Sequence, residues 1–549
     1  MYWAQLVVSG LFAGAVYALY GLGITMVFKS TRVPNFAHGA VGMVGAYVFF
    51  KTWEGSQPVL QIKHLHLAIP YTGLEWNPVP PRLPMALALV LAIGVAMLLG
   101  LAIEKLFMRH LVGAPTLSLV VATIGVGAII TGLAIDLFNK QHETVPPVVP
   151  EKVYDVGGIR FFQDDVVVTV LGLSLAVALG AFFKFTDLGI AIRATADSRE
   201  VARLLGINAN RVASFSWALG SALAAGAAIL IVSRGSRELG AIALLALLLP
   251  GFTAALFGGF ISLVGTFLGG LALGVAQTVF IGINWPDGIL RDMFSAAGAS
   301  QFVAFLVVVV VLMTRPRFIF KGVRVDEDSG VGFARLGSGL ALEDRLRRSL
   351  DRMGALQMLL ADWPIGRVVL GVAALGAILI IPIYTVSYWS TVLATCVFYA
   401  LIGLSIVVLT GWTGQISLAP LAFAGTGAFG AAMLSSQAGL PFWVVLPMSG
   451  VVAVPFALLV GIPALRLRGF FLALATLAFM VAAEGWLFVQ SFLQTRNDFD
   501  RGPLRSDMSQ PAFYVSLLLA AVVFVGVANL KRTRIARAFH ALRDSEITA

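Results

Sequence analysis

Long apolar runs dominate this sequence, and they restrict its fold more than any other feature. Of the 549 residues, 59% are hydrophobic and 12% are charged, about half the charged share of an ordinary soluble domain. A run of about 20 apolar residues forms a helix that crosses the ~30 Å hydrocarbon core of a bilayer. The sequence therefore predicts an all-α polytopic membrane protein with about 15 transmembrane helices. The predicted spans are 2–28, 33–50, 85–107, 117–138, 166–184, 212–232, 242–257, 260–283, 299–314, 366–383, 388–409, 417–434, 442–465, 470–493 and 513–530.

A charged interval divides these spans into two groups. Residues 315–367 are polar, and the segment 340–360 has the pattern of an amphipathic helix that lies on the membrane surface. The first apolar run, from Tyr2, lacks the basic start of a signal peptide, which indicates a retained span.

The distribution of charge predicts the orientation of the chain. If the N-terminus lies outside, the loops rich in Lys and Arg all fall on one side of the membrane. Cytoplasmic loops carry such an excess, so these loops are predicted to be cytoplasmic. The same rule accounts for the net charge of +10 without a nucleic acid partner. The basic loops begin at Lys29, Lys105, Lys184, Arg315, Arg466 and Lys531.

The two groups of spans are related by an internal repeat. Residues 17–47 align without gaps on 399–429, with 11 of 31 positions identical. A weaker similarity joins 117–125 to 471–479, and a third joins 186–202 to 533–549, including an Asp-Ser pair in both copies. The order is the same in both groups, which predicts two related halves in a parallel pseudo-repeat. Similar composition alone is the alternative for the weak middle match.

The second half is shorter than the first. After its charged loop the first half continues through four more predicted spans, whereas the sequence ends at Ala549 inside the second copy of that loop. We expect from this difference that the second half is incomplete.

A short polar helix interrupts the apolar sequence at 193–207, RATADSREVARLLGI. Asp197 and Ser198 are residue types that favour a helix N-terminus, and Glu200 is favourable at its positive end. Arg199 and Arg203 are four residues apart and therefore share one face. A basic cytoplasmic loop with no further role is the alternative interpretation.

Several motifs resemble the permease subunits of the branched-chain amino acid ABC importers. NFAHGAVGMVGAY (35–47), the glycine-rich segment 251–277 and RPRFIF (315–320) are similar to the H-type permease. The segments 409–429, 466–479 and 541–549 are similar to the M-type permease. The resemblance implies a fusion with an H-type domain at 1–320, a cytoplasmic linker at 321–362 and an incomplete M-type domain at 363–549.

The resemblance also implies partners and a role for the polar helices. Both would be coupling helices that dock on two cytoplasmic ATP-binding cassette subunits, and an extracytoplasmic binding protein would deliver the substrate. The chain has no Gly-x4-Gly-Lys-Ser/Thr motif, so ATP and Mg would be used by the partner subunits, and no metal or cofactor is expected here. The coupling residues implied are Ala194, Asp197, Ser198, Arg199, Glu200, Arg203, Gly206, Arg543, Asp544, Ser545 and Glu546.

Four residues are candidates for the translocation path. Asn35 and His38 follow Pro34, and Ser417 precedes Pro420 at the matching place in the second half. Proline interrupts a helix and frees backbone groups to line a cavity, although a helix start at the membrane interface is an equal alternative. Glu484 lies in mid-span, where an ionisable residue is functional or forms a buried ion pair. Glu104 and Asp136 lie near span ends, where we expect them to extend toward water.

Glycine spacing predicts close helix packing. The pairs Gly10/Gly14, Gly265/Gly269 and Gly270/Gly274 have the small-xxx-small pattern that lets membrane helices approach closely.

The substrate class and the transport mechanism leave alternatives. Leucine, isoleucine and valine are implied by the resemblance, and urea or short amides are the substrates of related permeases. An ion-coupled secondary transporter would require several intramembrane ionisable residues, and a passive channel would have no use for two cytoplasmic helices. The expected location is a bacterial plasma (inner) membrane.

Overall fold

The computed structural model describes residues 1–54, 82–112, 114, 116–138, 142–146, 148, 152–234, 238–240, 247–294, 298–314, 376, 380, 387–464, 470–490 and 509–544. The chain forms two compact units. The first comprises Met1–Arg324 and Val460–Gln490, and the second comprises Val325–Leu459 and Ser491–Ala549. The predicted domain boundaries at 320 and 362 lie outside the described residues, so this division stays a prediction.

Both units are built from helices. The first unit contains α1 (Tyr2–Thr31), α2 (His38–Glu54), α3 (Met85–Leu106), α4 (Thr116–Phe138), α5 (Gln163–Phe185), α6 (Asp187–Asp197), α7 (Arg199–Leu204), α8 (Ala209–Arg234), α9 (Leu248–Phe257), α10 (Leu263–Ile281), α11 (Ile289–Phe294), α12 (Ala299–Thr314) and α16 (Phe470–Ala482). The second contains α13 (Ser387–Ile406), α14 (Pro420–Ala438), α17 (Ser509–Leu530) and α18 (Arg534–Asp544), while α15 (Phe442–Ala464) begins in the second unit and ends in the first. A 3₁₀ turn at Met108–Leu111 follows α3, and π-helical segments at Val407–Trp412 and Ala483–Leu487 extend α13 and α16.

The polytopic helical architecture is confirmed. Ten helices among the described residues are long and apolar enough to cross a membrane. Four further predicted spans coincide with α2, α9, α12 and α14. Of the predicted span at 366–383 only residues 376 and 380 are described, and the predicted amphipathic helix at 340–360 lies outside the described residues, so both stay predictions.

Two small antiparallel strand pairs accompany the helices. β1 (His142–Thr144) pairs with β4 (Glu238–Gly240), and β2 (Val153–Val156) forms a hairpin with β3 (Ile159–Phe162). Gly157 and Gly158 connect the hairpin with positive φ angles of 63° and 82°, the conformation that a tight primed turn requires. The predicted spans 117–138 and 166–184 leave this segment between them without an assigned strand, although the Gly-Gly pair between two β-favouring runs is a hairpin signal.

Contacts between connecting segments agree with the predicted alternation of the spans. The N-terminal end of α1 contacts the segment between the predicted spans 117–138 and 166–184 and the end of the predicted span 260–283. The Arg160 amide donates to Gln5 Oε1 (2.7 Å), and the Tyr2 hydroxyl donates to the Gly282 carbonyl. At the other end of α1, Arg32 donates to the carbonyl of Ala196 (2.8 Å). This end of the first unit, where α1 terminates, carries Lys29, Arg32 and Lys184. We call it the basic face.

Glycines bring α1 and α10 into backbone contact. A methyl group at Gly14 would lie 2.6 Å from Cα of Leu271, and one at Gly270 would lie 2.5 Å from Cα of Ala18. Gly265 and Gly269 lie against the C-terminal end of α9. α10 therefore packs one glycine pair against α1 and another against α9. The predicted small-xxx-small packing is confirmed.

The internal repeat extends to the helix boundaries. α2 begins at His38 and α14 at Pro420, which are equivalent positions in the gapless alignment. The preceding left-handed residues are also equivalent, Arg32 (φ 58°) and Gly414 (φ 72°). α6 and α18 are both 11-residue helices that follow a threonine and end at an aspartate. α4 and α16 begin at equivalent residues in the weaker match.

Glu104 does not extend toward water, and that expectation is wrong. Its side chain is 4% exposed at the end of α3 and accepts two hydrogen bonds from Arg109, at 3.1 Å and 2.8 Å. Ser214 of α8 completes the network, with 2.7 Å from its hydroxyl to Oε2 of Glu104. The contact with α8 makes a buried pair possible, and a contact between distant segments is not visible in the local sequence.

The contact between α1 and α10 predicts which glycines tolerate a side chain. Gly14→Ala should lower the thermal stability of the detergent-purified protein, by about 1–3 kcal/mol for an overpacked site. Gly226→Ala is the matched control, because an added methyl group at Gly226 has nothing within 4 Å. Equal melting temperatures for the two variants would contradict the contact.

The Glu104 network predicts an asymmetry between its two charged members. Arg109→Ala leaves a buried carboxylate without its cation and should cost about 3–5 kcal/mol of unfolding free energy. Glu104→Ala should cost less, because the Arg109 side chain is 36% exposed and can turn to water. Thermal unfolding of both variants measures the difference, and a larger loss for Glu104→Ala would refute the prediction.

Candidate functional site

The second helix begins within the depth of the spanning region. α1 ends at Thr31, and the next helix starts only at His38. The imidazole of His38 lies directly against Gly23 of α1. Gly23 precedes the end of α1 by eight residues, which corresponds to about 12 Å along the helix axis. The gap between Thr31 and His38 agrees with the interrupted helix predicted at Pro34, and its depth in the membrane stays a prediction.

Three buried polar side chains lie at this interruption, and we call them the polar cluster: Tyr20, Asn35 and His38. They are 1%, 1% and 0% exposed. The rings of Tyr20 and His38 pack edge to face with centroids 4.7 Å apart. Among the described residues, neither the Tyr20 hydroxyl nor the Asn35 amide has a hydrogen-bond partner. The ring nitrogens of His38 also lack a well-formed hydrogen bond there, and their polar neighbour is the backbone of Tyr20.

A second short helix starts at the same level. α9 has 10 residues, and no side chain caps its N-terminus. Gly251, in its first turn, packs so closely on the Tyr20 ring that an added methyl group would collide with it. The first turns of α2 and α9 therefore both contact Tyr20. Each helix N-terminus carries a partial positive charge of about half a unit, which makes this point of the first unit electropositive.

Six phenylalanine side chains separate the polar cluster from the basic face. They are all 8% exposed or less and form a continuous set of ring contacts, with Phe470 of α16 at 5.7 Å from Phe28 and 5.2 Å from Phe260. Phe36, next to Asn35, contacts Phe252 at 4.9 Å. We call this set the phenylalanine cluster: Phe28, Phe36, Phe252, Phe260, Phe470 and Phe471.

The second copy of the interruption has a different chemistry. Ser417 is buried and accepts a hydrogen bond from the Ala419 amide (3.3 Å), so its hydroxyl is engaged locally. The alignment places Pro420 at the position of His38 and Ile402 at that of Tyr20. The sequence predicted Asn35, His38 and Ser417 as candidates but not Tyr20, although Tyr20 is exchanged for Ile402 between the two copies of the repeat.

Glu484 differs from the polar cluster in its exposure to solvent. It is exposed, on the π-helical segment after α16, where Trp486 donates to the Met293 carbonyl (2.7 Å). The burial required for a buried ion pair is absent, so that alternative is wrong. A role for Glu484 in the translocation path stays a prediction.

The polar segment predicted as one helix at 193–207 forms two. α6 ends at Asp197, and Ser198 becomes the N-cap of α7 by accepting from the Val201 amide (3.2 Å). Serine favours such a position because its hydroxyl satisfies a free backbone N–H. Ala194 is half-buried, Arg203 is exposed, and Gly206 ends the segment with φ 81°.

Leucines form the most exposed surface of this segment. Val201, Leu204 and Leu205 are 54%, 86% and 73% exposed. A shallow groove between α6 and the start of α8 adds Leu188 and Ile190 to this apolar area. The side chains of Asp197, Arg199 and Glu200 lie outside the described residues, so their predicted contacts are not tested.

The second copy of the helix is α18. Ala536 is buried, and His540 lies 6.1 Å from the ring of Trp412 within the second unit. Arg543 and Asp544 are the last helical residues, with side chains outside the described set. Ser545 and Glu546 lie wholly outside it.

The fold defines a multi-pass membrane protein in which a polar helix recurs in both halves of the sequence. Residues 6–313 and 388–549 both match the family described as "Branched-chain amino acid transport system / permease component". The chain belongs to this family.

Curated relatives match different parts of the chain. The branched-chain amino acid transport system permease protein BraD of Pseudomonas aeruginosa is 30% identical over 319 residues, 57% of this chain and 94% of BraD. LivH of Escherichia coli is 27% identical over 324 residues, 58% of this chain and 94% of LivH. LivM of Salmonella typhimurium is 29% identical over 213 residues, 32% of this chain and 49% of LivM. These matches confirm a fused H-type and M-type permease. No solved structure matches the chain at a significant level.

Proposed function

We propose that this chain is the transmembrane component of an ATP-driven importer for branched-chain amino acids, with separate ATPase subunits docked on α6–α7 and α18. The observation that carries the proposal is the recurrence of an 11-residue helix at the equivalent place in both halves. Two matched helices suit two copies of a partner. ATP and Mg belong to those partner subunits, and an extracytoplasmic binding protein supplies the substrate.

The orientation follows from the same assignment. Lys29, Arg32 and Lys184 lie at the basic face, where cytoplasmic loops carry their positive charge. With this face in the cytoplasm, the N-terminus and β1–β4 lie outside.

Leucine, isoleucine and valine are the proposed substrates because the matching relatives are named as branched-chain amino acid permeases. Urea or a short amide is the alternative. Uptake of labelled leucine and of labelled urea, in a strain that lacks the gene and its complemented counterpart, distinguishes them.

The route from α6 to the interruption of α1 and α2 is short. Arg32 follows the last residue of α1 and donates to the carbonyl of Ala196 in α6 (2.8 Å). Asn35 is three residues further along the same non-helical segment. A displacement of α6 by a docked ATPase subunit would therefore act directly on the backbone that carries the polar cluster, and alternating access would be a shift between two packings of these helices.

The exposed leucines supply the test of docking. Leu204→Ser with Leu205→Ser should reduce co-purification of subunits that carry an ATP-binding motif, by about tenfold or more, because a buried leucine contributes about 1.5–3 kcal/mol. Val156→Ser is the control, since Val156 is 64% exposed at the opposite face. Recovery of the same ATPase subunits with all three proteins, measured by mass spectrometry, would refute docking at α7.

The Arg32 bond supplies a test of coupling. Arg32→Ala should preserve ATPase binding and ATP hydrolysis but lower leucine uptake by about two- to tenfold, because a charge-assisted hydrogen bond between α6 and α1 is lost. Uptake per ATP hydrolysed in reconstituted vesicles measures the effect. An unchanged ratio would contradict this route.

A further inference from the structure

We propose that the polar cluster and the N-termini of α2 and α9 form a binding site for the α-carboxylate of a zwitterionic amino acid inside the transport path. The inference rests on the proposed function, because it concerns the substrate of that importer. It adds the location of the site and the group of the substrate that is recognised there.

The backbone provides the electrostatic part of the site. α2 has 17 residues and α9 has 10, and their first turns meet at the Tyr20 ring. The first backbone N–H groups of a helix have no partner within the helix, and the aligned peptide dipoles favour an anion beside them. Discontinuous helices whose N-termini meet near mid-membrane hold anionic substrate groups by this principle.

The side chains provide matching donors. A Tyr hydroxyl and an Asn NH₂ group are neutral donors that can bind a carboxylate without placing a fixed positive charge in the membrane. Both are buried and lack a hydrogen bond among the described residues. A buried polar group without a partner is destabilising, so its presence is accounted for when a ligand supplies the missing bond.

The repeat indicates that the cluster is not a requirement of the fold. The same interruption forms in the second half with Ile402, Ser417 and Pro420 at the three equivalent positions. There the one hydroxyl is engaged with a neighbouring amide. The donors are therefore specific to the first half, and the site would hold one carboxylate per chain.

The phenylalanine cluster closes this site on the side of the basic face. Phe36 adjoins Asn35 and packs on Phe252, and Phe470 packs on both Phe28 and Phe260. Release toward that face requires these rings to separate, and their apolar surface would accommodate an aliphatic side chain as they do so.

The test exploits opposite effects on stability and transport. Tyr20→Phe and Asn35→Leu remove polar groups that have no partner in the folded chain, so the melting temperature of the assembled complex should stay constant or rise. Leucine uptake should nevertheless fall by about tenfold or more, because hydrogen bonds to a charged group are lost. Asn35→Asp should reduce uptake further, since it places a second negative charge beside the carboxylate.

Ser221→Ala is the matched control. Its hydroxyl is also buried and unpartnered among the described residues, but it lies on α8 against Gly100 of α3. Removal of this hydroxyl should leave uptake unchanged. The site assignment is overturned if Tyr20→Phe and Asn35→Leu retain full uptake, or if their uptake falls only in proportion to a lower melting temperature.

Failure of the proposed function gives a different result. If the unaltered complex, supplied with its ATPase subunits and binding protein, does not transport leucine, or transports urea instead, the importer assignment is wrong whatever the variants do. If the unaltered complex transports leucine and the variants match it, the carboxylate site alone is wrong.

Discussion

The backbone contact between α1 and α10 is the interaction on which the first unit depends. Gly14 and Gly270 leave no space for a side chain at the crossing, so the backbones of the two helices are in direct contact. α1 also contacts α5, α6, α8 and α9, and it meets α2 where the Tyr20 ring packs on His38. A membrane offers little hydrophobic driving force between helices, so close packing of small residues and buried hydrogen bonds must supply the cohesion. The Thr25–Thr266 hydroxyl pair, 2.9 Å apart, adds such a bond to the same crossing.

A rigid α1 makes the neighbouring interruption possible. Non-helical backbone at membrane depth is tolerated only where protein or a polar cavity surrounds it, and residues 33–37 are all buried. Pro34 contributes its carbonyl to the Thr123 hydroxyl of α4 (3.3 Å), and the Asn35 carbonyl accepts from the His38 amide (3.4 Å). The backbone of this segment is thus partly satisfied while the side chains of Tyr20 and Asn35 are not. The fold therefore provides hydrogen bonds for part of the backbone here, but it provides none among the described residues for the side chains of Tyr20 and Asn35.

The sequence predicted the local features and missed those that depend on contacts between distant segments. Apolar length located the spans, glycine spacing marked residues that meet at the α1–α10 crossing, and the repeat matched the segment at Asn35 and His38 to that at Ser417 and Pro420. It could not predict that Tyr20 faces His38, that Phe470 joins rings from α1 and α9, or that Glu104 is paired and buried, because each of these requires tertiary packing. The break of the polar segment at Ser198 could have been predicted from the sequence, because a capping residue in mid-helix competes with the helical backbone.

Arg32 links α1, α6 and the interruption that precedes α2. Its left-handed conformation ends α1, its guanidinium holds the Ala196 carbonyl, and its chain continues into Asn35. α6 is therefore attached to the non-helical side of the interruption, whereas the glycine crossing lies on the helical side. In the proposed mechanism, a displacement of α6 would move residues 32–37 relative to Tyr20 and would shift Phe36 within the phenylalanine cluster. Two packings that differ only in this segment would leave the α1–α10 contact intact, so the proposed change of access at the polar cluster would need only a small movement at the basic face.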